Sequence, residues 1–189
     1  TYGVKLRRSG IAGLVLLVGS TCAVAGSPSS AENLAPVFRQ VRAAVVVVRT
    51  TERTVSRRSN GRQVSVEGLG SGVLVSADGK IVTAAHVVQT ADTVVVEFAD
   101  QGPVAAEVIA SEPAADVALL QVQRVPDGVK PAKLGDSDKV QIGEQVFVVG
   151  APLGITHTLT AGHLSARHKP NATFNGMLTA EFFQTDAAI

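Results

Sequence analysis

A chain of 189 residues is long enough for one domain or a pair of small barrels, and it can bury a real core. Hydrophobic residues make up 46% but aromatics only 4%, with no tryptophan, so that core must be mostly Val, Ala, Leu and Ile. A formal net charge of +1 argues for neither nucleic acid nor an acidic partner, and the single cysteine, Cys22, excludes an intrachain disulfide.

Residues 1–25 read as a signal peptide. Lys5-Leu6-Arg7-Arg8 is a positive n-region, Ile11 to Val18 an apolar h-region, and Ala23-Val24-Ala25 an A-x-A cleavage site that predicts a cut before Gly26. The apolar stretch is short for a membrane span of about 20 residues. The expected product is exported and carries no stable span after cleavage; it stays membrane-associated only if the leader is retained. Lipidation of Cys22 is the weaker reading, because Gly19 and Thr21 occupy the places where an aliphatic and a small residue are wanted.

Residues 26–40 read as a linker and N-terminal segment, in which Leu34 to Val41 predicts a short helical turn. Residues 41–125 read as a first β-barrel. Val-rich runs with Gly and polar punctuation favour strands, predicted at Ala44 to Thr50, Ser71 to Ser76, Lys80 to Thr83, Thr93 to Phe98, Val104 to Ala110 and Val117 to Val122. Asp78-Gly79 between two apolar runs is a strong hairpin signal. Glu52 to Glu67, polar and basic with weak alternation at Val64 and Val66, is expected to be a loop. Arg53, Arg57, Arg58 and Arg62 lie in it without an interleaved aromatic, which removes the stacking platform that nucleic-acid binding would use.

Val125 to Lys139, rich in Pro, Gly, Asp and Lys, predicts a crossover to a second unit spanning residues 126–189. That unit shows strands only at Gln145 to Gly150, Thr158 to Ala166 and Glu181 to Thr185, too few to close a barrel. No repeat, heptad, Walker loop or dinucleotide fingerprint is visible.

His86 follows a predicted strand and small residues, Thr83-Ala84-Ala85. Asp116 stands at the mouth of the apolar run Val117 to Leu120. A carboxylate so placed can accept a hydrogen bond from one imidazole nitrogen, which fixes the tautomer and leaves the other nitrogen to take a proton from a hydroxyl. Taken singly, a lone His is more often structural and an Asp after Pro113-Ala114-Ala115 more often a turn residue.

The wider context decides between those readings. The stretch Gly70-Ser71-Gly72-Val73-Leu74-Val75-Ser76-Ala77-Asp78-Gly79-Lys80-Ile81-Val82-Thr83-Ala84-Ala85-His86-Val87-Val88 resembles the HtrA/Deg (DegP-like) family of trypsin-like serine proteases. So do Asp116-Val117-Ala118-Leu119-Leu120, Leu134-Gly135-Asp136-Ser137-Asp138, Ile142-Gly143-Glu144 and Val148-Val149-Gly150-Ala151-Pro152-Leu153-Gly154. The likeness runs from about Leu34 to Ile189. It implies an all-β fold, the chymotrypsin/trypsin-like double β-barrel, with the second barrel incomplete in this chain. His86 would be the general base and Asp116 its orienter, with no metal, nucleotide or other cofactor. The nucleophilic serine would follow Gln184-Thr185-Asp186-Ala187-Ala188-Ile189 in an Asn-x-Gly-Asn-Ser-Gly-Gly-like motif, which this chain does not reach. The expectation is therefore a serine endopeptidase of protein quality control, cut short before its nucleophile and oxyanion loop and inactive as it stands.

The resemblance also implies a periplasmic location and unfolded or misfolded polypeptides as substrates. It implies a homo-trimer or higher assembly in the parent, with Leu34 to Val41 at the trimer contact. Ser137 mimics the Gly-Asp-Ser-Gly-Gly of digestive enzymes but lacks the following glycines and falls at the crossover. Ser71 stands between glycines that permit close backbone approach, and Ser165 lies within a strand. His163 and His168 have no acidic or Cys partner between them, which weakens a metal reading, and His157 carries no motif. Asn171-Ala172-Thr173 matches a glycosylation acceptor but is discounted in a bacterial exported protein. Two rivals remain: a catalytically dead pseudoprotease that binds unfolded chains, and an unrelated secreted β-barrel binding module.

Overall fold

The structure, a computed structural model, describes residues 2–5, 34–55, 63–151, 157–168 and 181–188. In chain order its elements are β1 (Tyr2–Lys5), α1 (Ala35–Val41), β2 (Val45–Val55), β3 (Gln63–Leu74), β4 (Lys80–Thr83), α2 (Ala85–Val88), β5 (Thr93–Phe98) and β6 (Pro103–Glu112). A 3-10 turn (Pro113–Ala115), β7 (Val117–Val122), β8 (Gln145–Gly150), β9 (Thr158–His168) and β10 (Glu181–Thr185) follow.

Six of these strands close a barrel in the order β2-β3-β4-β7-β6-β5, the antiparallel pairing of β2 with β5 joining its two ends. Closure leaves no free strand edge where the ring is complete. Alternation along each strand sends every second side chain inward. Val46, Val48, Leu74, Ile81, Val96, Leu120 and Val122 are each fully buried in one cluster, with Phe98 beside them. An aliphatic interior needs no hydrogen-bond partners, so it tolerates the near absence of aromatics in this sequence.

The hairpin expected at Asp78-Gly79 is present. Gly79 N–H donates to Ser76 O at 3.2 Å and Val75 N–H to Lys80 O at 2.8 Å. Gly79 has φ +93, and a Cβ there would sit 2.6 Å from Val122 O, so the position demands glycine on both counts.

Within the stretch expected to be a loop, Glu52 to Val55 and Gln63 to Glu67 are strand. The β2–β3 ladder continues from Val45↔Val73 out to Val55↔Gln63, well past the part of β2 that also pairs with β5. Thr51, Thr54, Val64 and Val66 supply β-branched residues to this outer ribbon. Its ladder bonds do not depend on burial, which is why a polar sequence could hold it; Val64 and Val66 are exposed there. Arg57, Arg58 and Arg62 lie outside the described residues.

From β7 the chain follows the barrel without regular structure as far as β8. Val125, Val129 and Ala132 pack on the barrel core, and Ala132 N–H donates to Leu74 O at 2.8 Å. The second unit is a four-stranded antiparallel sheet in the order β1-β10-β9-β8, an incomplete barrel over the smaller cluster Val140, Val146, Leu164 and Phe183. Tyr2–Lys5, at the start of the expected leader, pairs with β10 in the register Tyr2↔Gln184 to Lys5↔Glu181. The rest of the leader, including Cys22 and the cleavage site, lies outside the described residues, as does Asn171. Among the described residues, no helix is long and apolar enough to cross a membrane.

Candidate active site

His86 and Asp116 are thirty residues apart in sequence and are brought together by two short irregular steps on adjacent barrel strands. β4 pairs with β7 in the register Thr83↔Ala118, so the residues just after β4 and just before β7 leave the barrel at the same end. After β4 the chain turns into α2, where Ala85 is buried and His86 is exposed. Before β7, the 3-10 turn ends on Asp116 in the left-handed region, φ 51 and ψ 46, with its N–H donating to Pro113 O at 3.1 Å. Asp is among the residues that tolerate this conformation, and here it turns the carboxylate towards α2.

Both carboxylate oxygens of Asp116 face the same ring nitrogen. His86 Nδ1 stands 2.7 Å from Oδ2 and 2.9 Å from Oδ1, and the His86 backbone N–H donates to Oδ1 at 2.9 Å. An ionised carboxylate can only accept, so this contact assigns the proton to Nδ1. Nε2 is left with its lone pair, able to take a proton. The His86 side chain is 70% exposed and that of Asp116 26%, so the ring is open to an incoming group while its partner is half enclosed.

Ser137 lies in the crossover turn in which Lys139 N–H donates to Asp136 O at 3.2 Å. Ser165 is exposed on β9. Ser71 is engaged in the framework: its Oγ accepts from Ala151 N–H at 2.9 Å, and its backbone oxygen accepts from the Thr83 hydroxyl at 2.8 Å. Its flanking glycines do permit close approach, since a Cβ on Gly70 would lie 2.6 Å from both methyls of Val87, and one on Gly72 would lie 2.8 Å from an Ile81 methyl. His157 Nε2 stands 2.6 Å from Val45 O, and His168 Nε2 stands 3.0 Å from Gln184 Oε1. Among the described residues, no three His, Cys, Asp or Glu side chains are grouped so as to hold a metal ion.

Comparison with known proteins bears on what this barrel carries. Residues 70–189 match the family described as trypsin-like peptidase domain. This chain belongs to the trypsin-like peptidases, in their HtrA/Deg branch. It is 37% identical over 163 residues, 84% of its length, to the probable periplasmic serine endoprotease DegP-like of Ectopseudomonas mendocina (strain ymp). It is 36% identical over 165 residues to the protein of the same name from Pseudomonas fulva (strain 12-X). It spans 31% of the length of each of these relatives. Among solved structures, it resembles the HtrA-type protease AlgW with decapeptide (TM-score 0.69, 28% identity), which it matches over 83% of its own length and 52% of that chain. The same protease with tripeptide gives a TM-score of 0.70 at 29% identity, over 83% of this chain and 47% of that one.

Among the described residues, contacts between the second sheet and the first barrel include the following. Phe182 of β10 is 5% exposed and joins a cluster with Val82, Ala115, Val117 and Leu119, which face out from the first barrel. Ser71 and Ala151 bridge β3 to the end of β8, and His157 reaches Val45 at the start of β2. Sequence reasoning missed Phe182. The signal was available in Val117-Ala118-Leu119-Leu120: an unbroken apolar run in place of alternation means a strand covered on both faces. Val117 to Leu120 are all buried.

Proposed function

We propose that this chain carries the base and orienting acid of an exported serine endopeptidase of protein quality control. The observation that carries this reading is the Asp116–His86 contact, in which one carboxylate holds both the ring Nδ1 and the backbone N–H of the same histidine. Nε2 of His86 takes the proton of a serine hydroxyl as its oxygen attacks a substrate carbonyl. It then returns that proton to the leaving amine, while Asp116 keeps the ring oriented and stabilises the imidazolium. The serine lies on the chain that follows Ile189 in the parent protein, together with the backbone N–H groups that stabilise the oxyanion. Without them residues 26–189 have no peptidase activity.

The relatives' names support a periplasmic protease, and the leader supports export with cleavage before Gly26. Substrates are unfolded or damaged polypeptides. The parent assembles as a trimer or larger, with Leu34 and α1 at the contact.

The test is to express the gene's full reading frame and treat it with a fluorophosphonate, which labels only an activated serine. Labelling that disappears in His86→Ala is the expected result. A fluorophosphonate-inert full-length protein that still binds unfolded casein would instead support the pseudoprotease. A casein-cleaving activity in residues 26–189 that depends on His86 would sink the claim that the nucleophile lies beyond them.

A further inference from the structure

The chain that leaves β10 is fastened across β9 by side chains, where strand pairing has stopped. β9 and β10 pair as Phe182↔His168, Phe183↔Arg167 and Gln184↔Ala166; the register then shifts, and the last pair is Thr185↔Leu164. At Leu164 the backbone faces β8: its N–H donates to Glu144 O, and its O accepts from Gly143 N–H. Alternation along a strand turns the next amide, His163 N–H, to the β10 side. Asp186 Oδ1 accepts it at 2.6 Å.

Two further bonds fix the same segment. Ala187 N–H donates to Thr185 Oγ1 at 3.1 Å, and the Thr160 hydroxyl donates to Ala188 O. The crossing is close because residue 162 has no side chain. A Cβ on Gly162 would lie 2.3 Å from Ala187 N and 2.4 Å from Asp186 Oδ1. Ala187 is 1% exposed, although Asp186 and Ala188 on either side of it are exposed. An exposed, non-repeating segment of this length would ordinarily fray; here a carboxylate, a hydroxyl and a missing Cβ hold it in one path.

We propose that Asp186, seated over Gly162, is a positioning residue: it sets the path by which the chain leaves β10 for the nucleophile loop, and so the distance between that loop and His86. This rests on the reading above that the nucleophile follows Ile189. A charged acceptor on a backbone amide makes a short, strong bond, so one side chain can fix the segment's direction. An error of about 1 Å at a reacting atom costs about 100-fold in rate.

The experiment compares Asp186→Ala, Asp186→Asn and Thr160→Val with the wild type in the full reading frame. Amide hydrogen exchange should show His163 N–H losing protection in Asp186→Ala and keeping it in Asp186→Asn, whose Oδ1 still accepts. In the full-length protein, the expected effect of Asp186→Ala is a fall of about 100-fold in kcat and in fluorophosphonate labelling rate with KM little changed, rescued by Asp186→Asn. Thr160→Val removes a different bond of the same clamp and should lower kcat in the same sense, which covers the case in which Asp186→Ala fails to fold. A wild type that labels, with Asp186→Ala labelling equally fast, overturns the positioning role. Unchanged His163 exchange in Asp186→Ala overturns the clamp itself. An unlabelled wild type sinks the protease reading, and the nucleophile part of this inference falls with it, whatever the exchange data show.

Discussion

The hydroxyl oxygen of Ser71, on β3 of the closed barrel, accepts a hydrogen bond from the backbone N–H of Ala151, at the end of β8 in the second sheet, at 2.9 Å. The two residues are eighty apart in sequence, and Ala151 is 1% exposed. On its other side, Ser71 O holds the hydroxyl of Thr83, three residues before His86. One residue thus links the junction between the two units to the strand that leads into His86.

Ser71→Ala should leave the Ala151 N–H buried without an acceptor and cost about 1–3 kcal/mol. Chemical denaturation of the full-length protein measures this, and faster exchange at the Ala151 amide should accompany it. An unchanged midpoint with unchanged exchange would show that the bond does not hold the units together.

Phe182→Ala should be more damaging. It empties the centre of a cluster formed with Val82, Ala115, Val117 and Leu119. Loss of a buried phenylalanine costs about 3–5 kcal/mol. Ala115 precedes Asp116, so the His86 imidazole resonances should also move. Phe182→Leu, which keeps most of the volume, should recover most of both effects.

Gly72→Ala tests the packing behind His86. The new methyl would meet Ile81, Val46 and Val48 at 2.8–3.1 Å inside the barrel core, where overpacking costs about 1–3 kcal/mol. Gly70→Ala instead presses on Val87, next to His86. The first should lower the melting temperature more than the activity of the full-length protein, and the second should do the reverse.

Asp116→Asn keeps the shape of the turn but removes the charge and one acceptor. An amide that turns its NH2 towards Nδ1 favours the opposite tautomer, with the proton on Nε2. In the full-length protein, kcat should fall by about 10,000-fold with the fold intact. Peptidase kinetics beside a thermal melt check this, and near-normal turnover would remove Asp116 from the mechanism.

The hairpin before His86 should weaken in acid. Bonds from Lys80 Nζ, at 2.6 Å, and from the Ser76 side chain hold the Asp78 carboxyl below its usual range. A carboxyl lowered in the folded state stabilises the protein above its unfolded pKa, and that contribution is lost as pH falls through the folded one. Asp78→Asn should therefore melt below the wild type at neutral pH, with the gap closing in strong acid. The group is exposed, so the effect should be small and should shrink with added salt. A gap that widens in acid would contradict the sign.

Much of the fold was legible in the sequence because its signals are local. The strand at Thr93–Phe98 depends on alternation, those at Val117–Val122 and Gln145–Gly150 on short Val-rich apolar runs, and the Asp78-Gly79 hairpin on one glycine with positive φ, all carried by neighbours in the chain. The outer β2–β3 ribbon was not legible. Its stability comes from pairing between two polar segments, and composition in either one alone reads as loop.

The same division holds at the site. The sequence by itself singled out His86 and Asp116 as candidates, through the family resemblance of the stretches Gly70 to Val88 and Asp116 to Leu120 that contain them. Only the tertiary structure decided that one carboxylate grips both Nδ1 and the backbone N–H of His86, that Ser71 is engaged as a bridge, and that Phe182 covers the outer face of the first barrel. The physical reason is distance along the chain. A hydrogen bond or an apolar contact acts over a few ångströms, and which residues come that close depends on strand register and on the docking of two sheets, which no local pattern encodes.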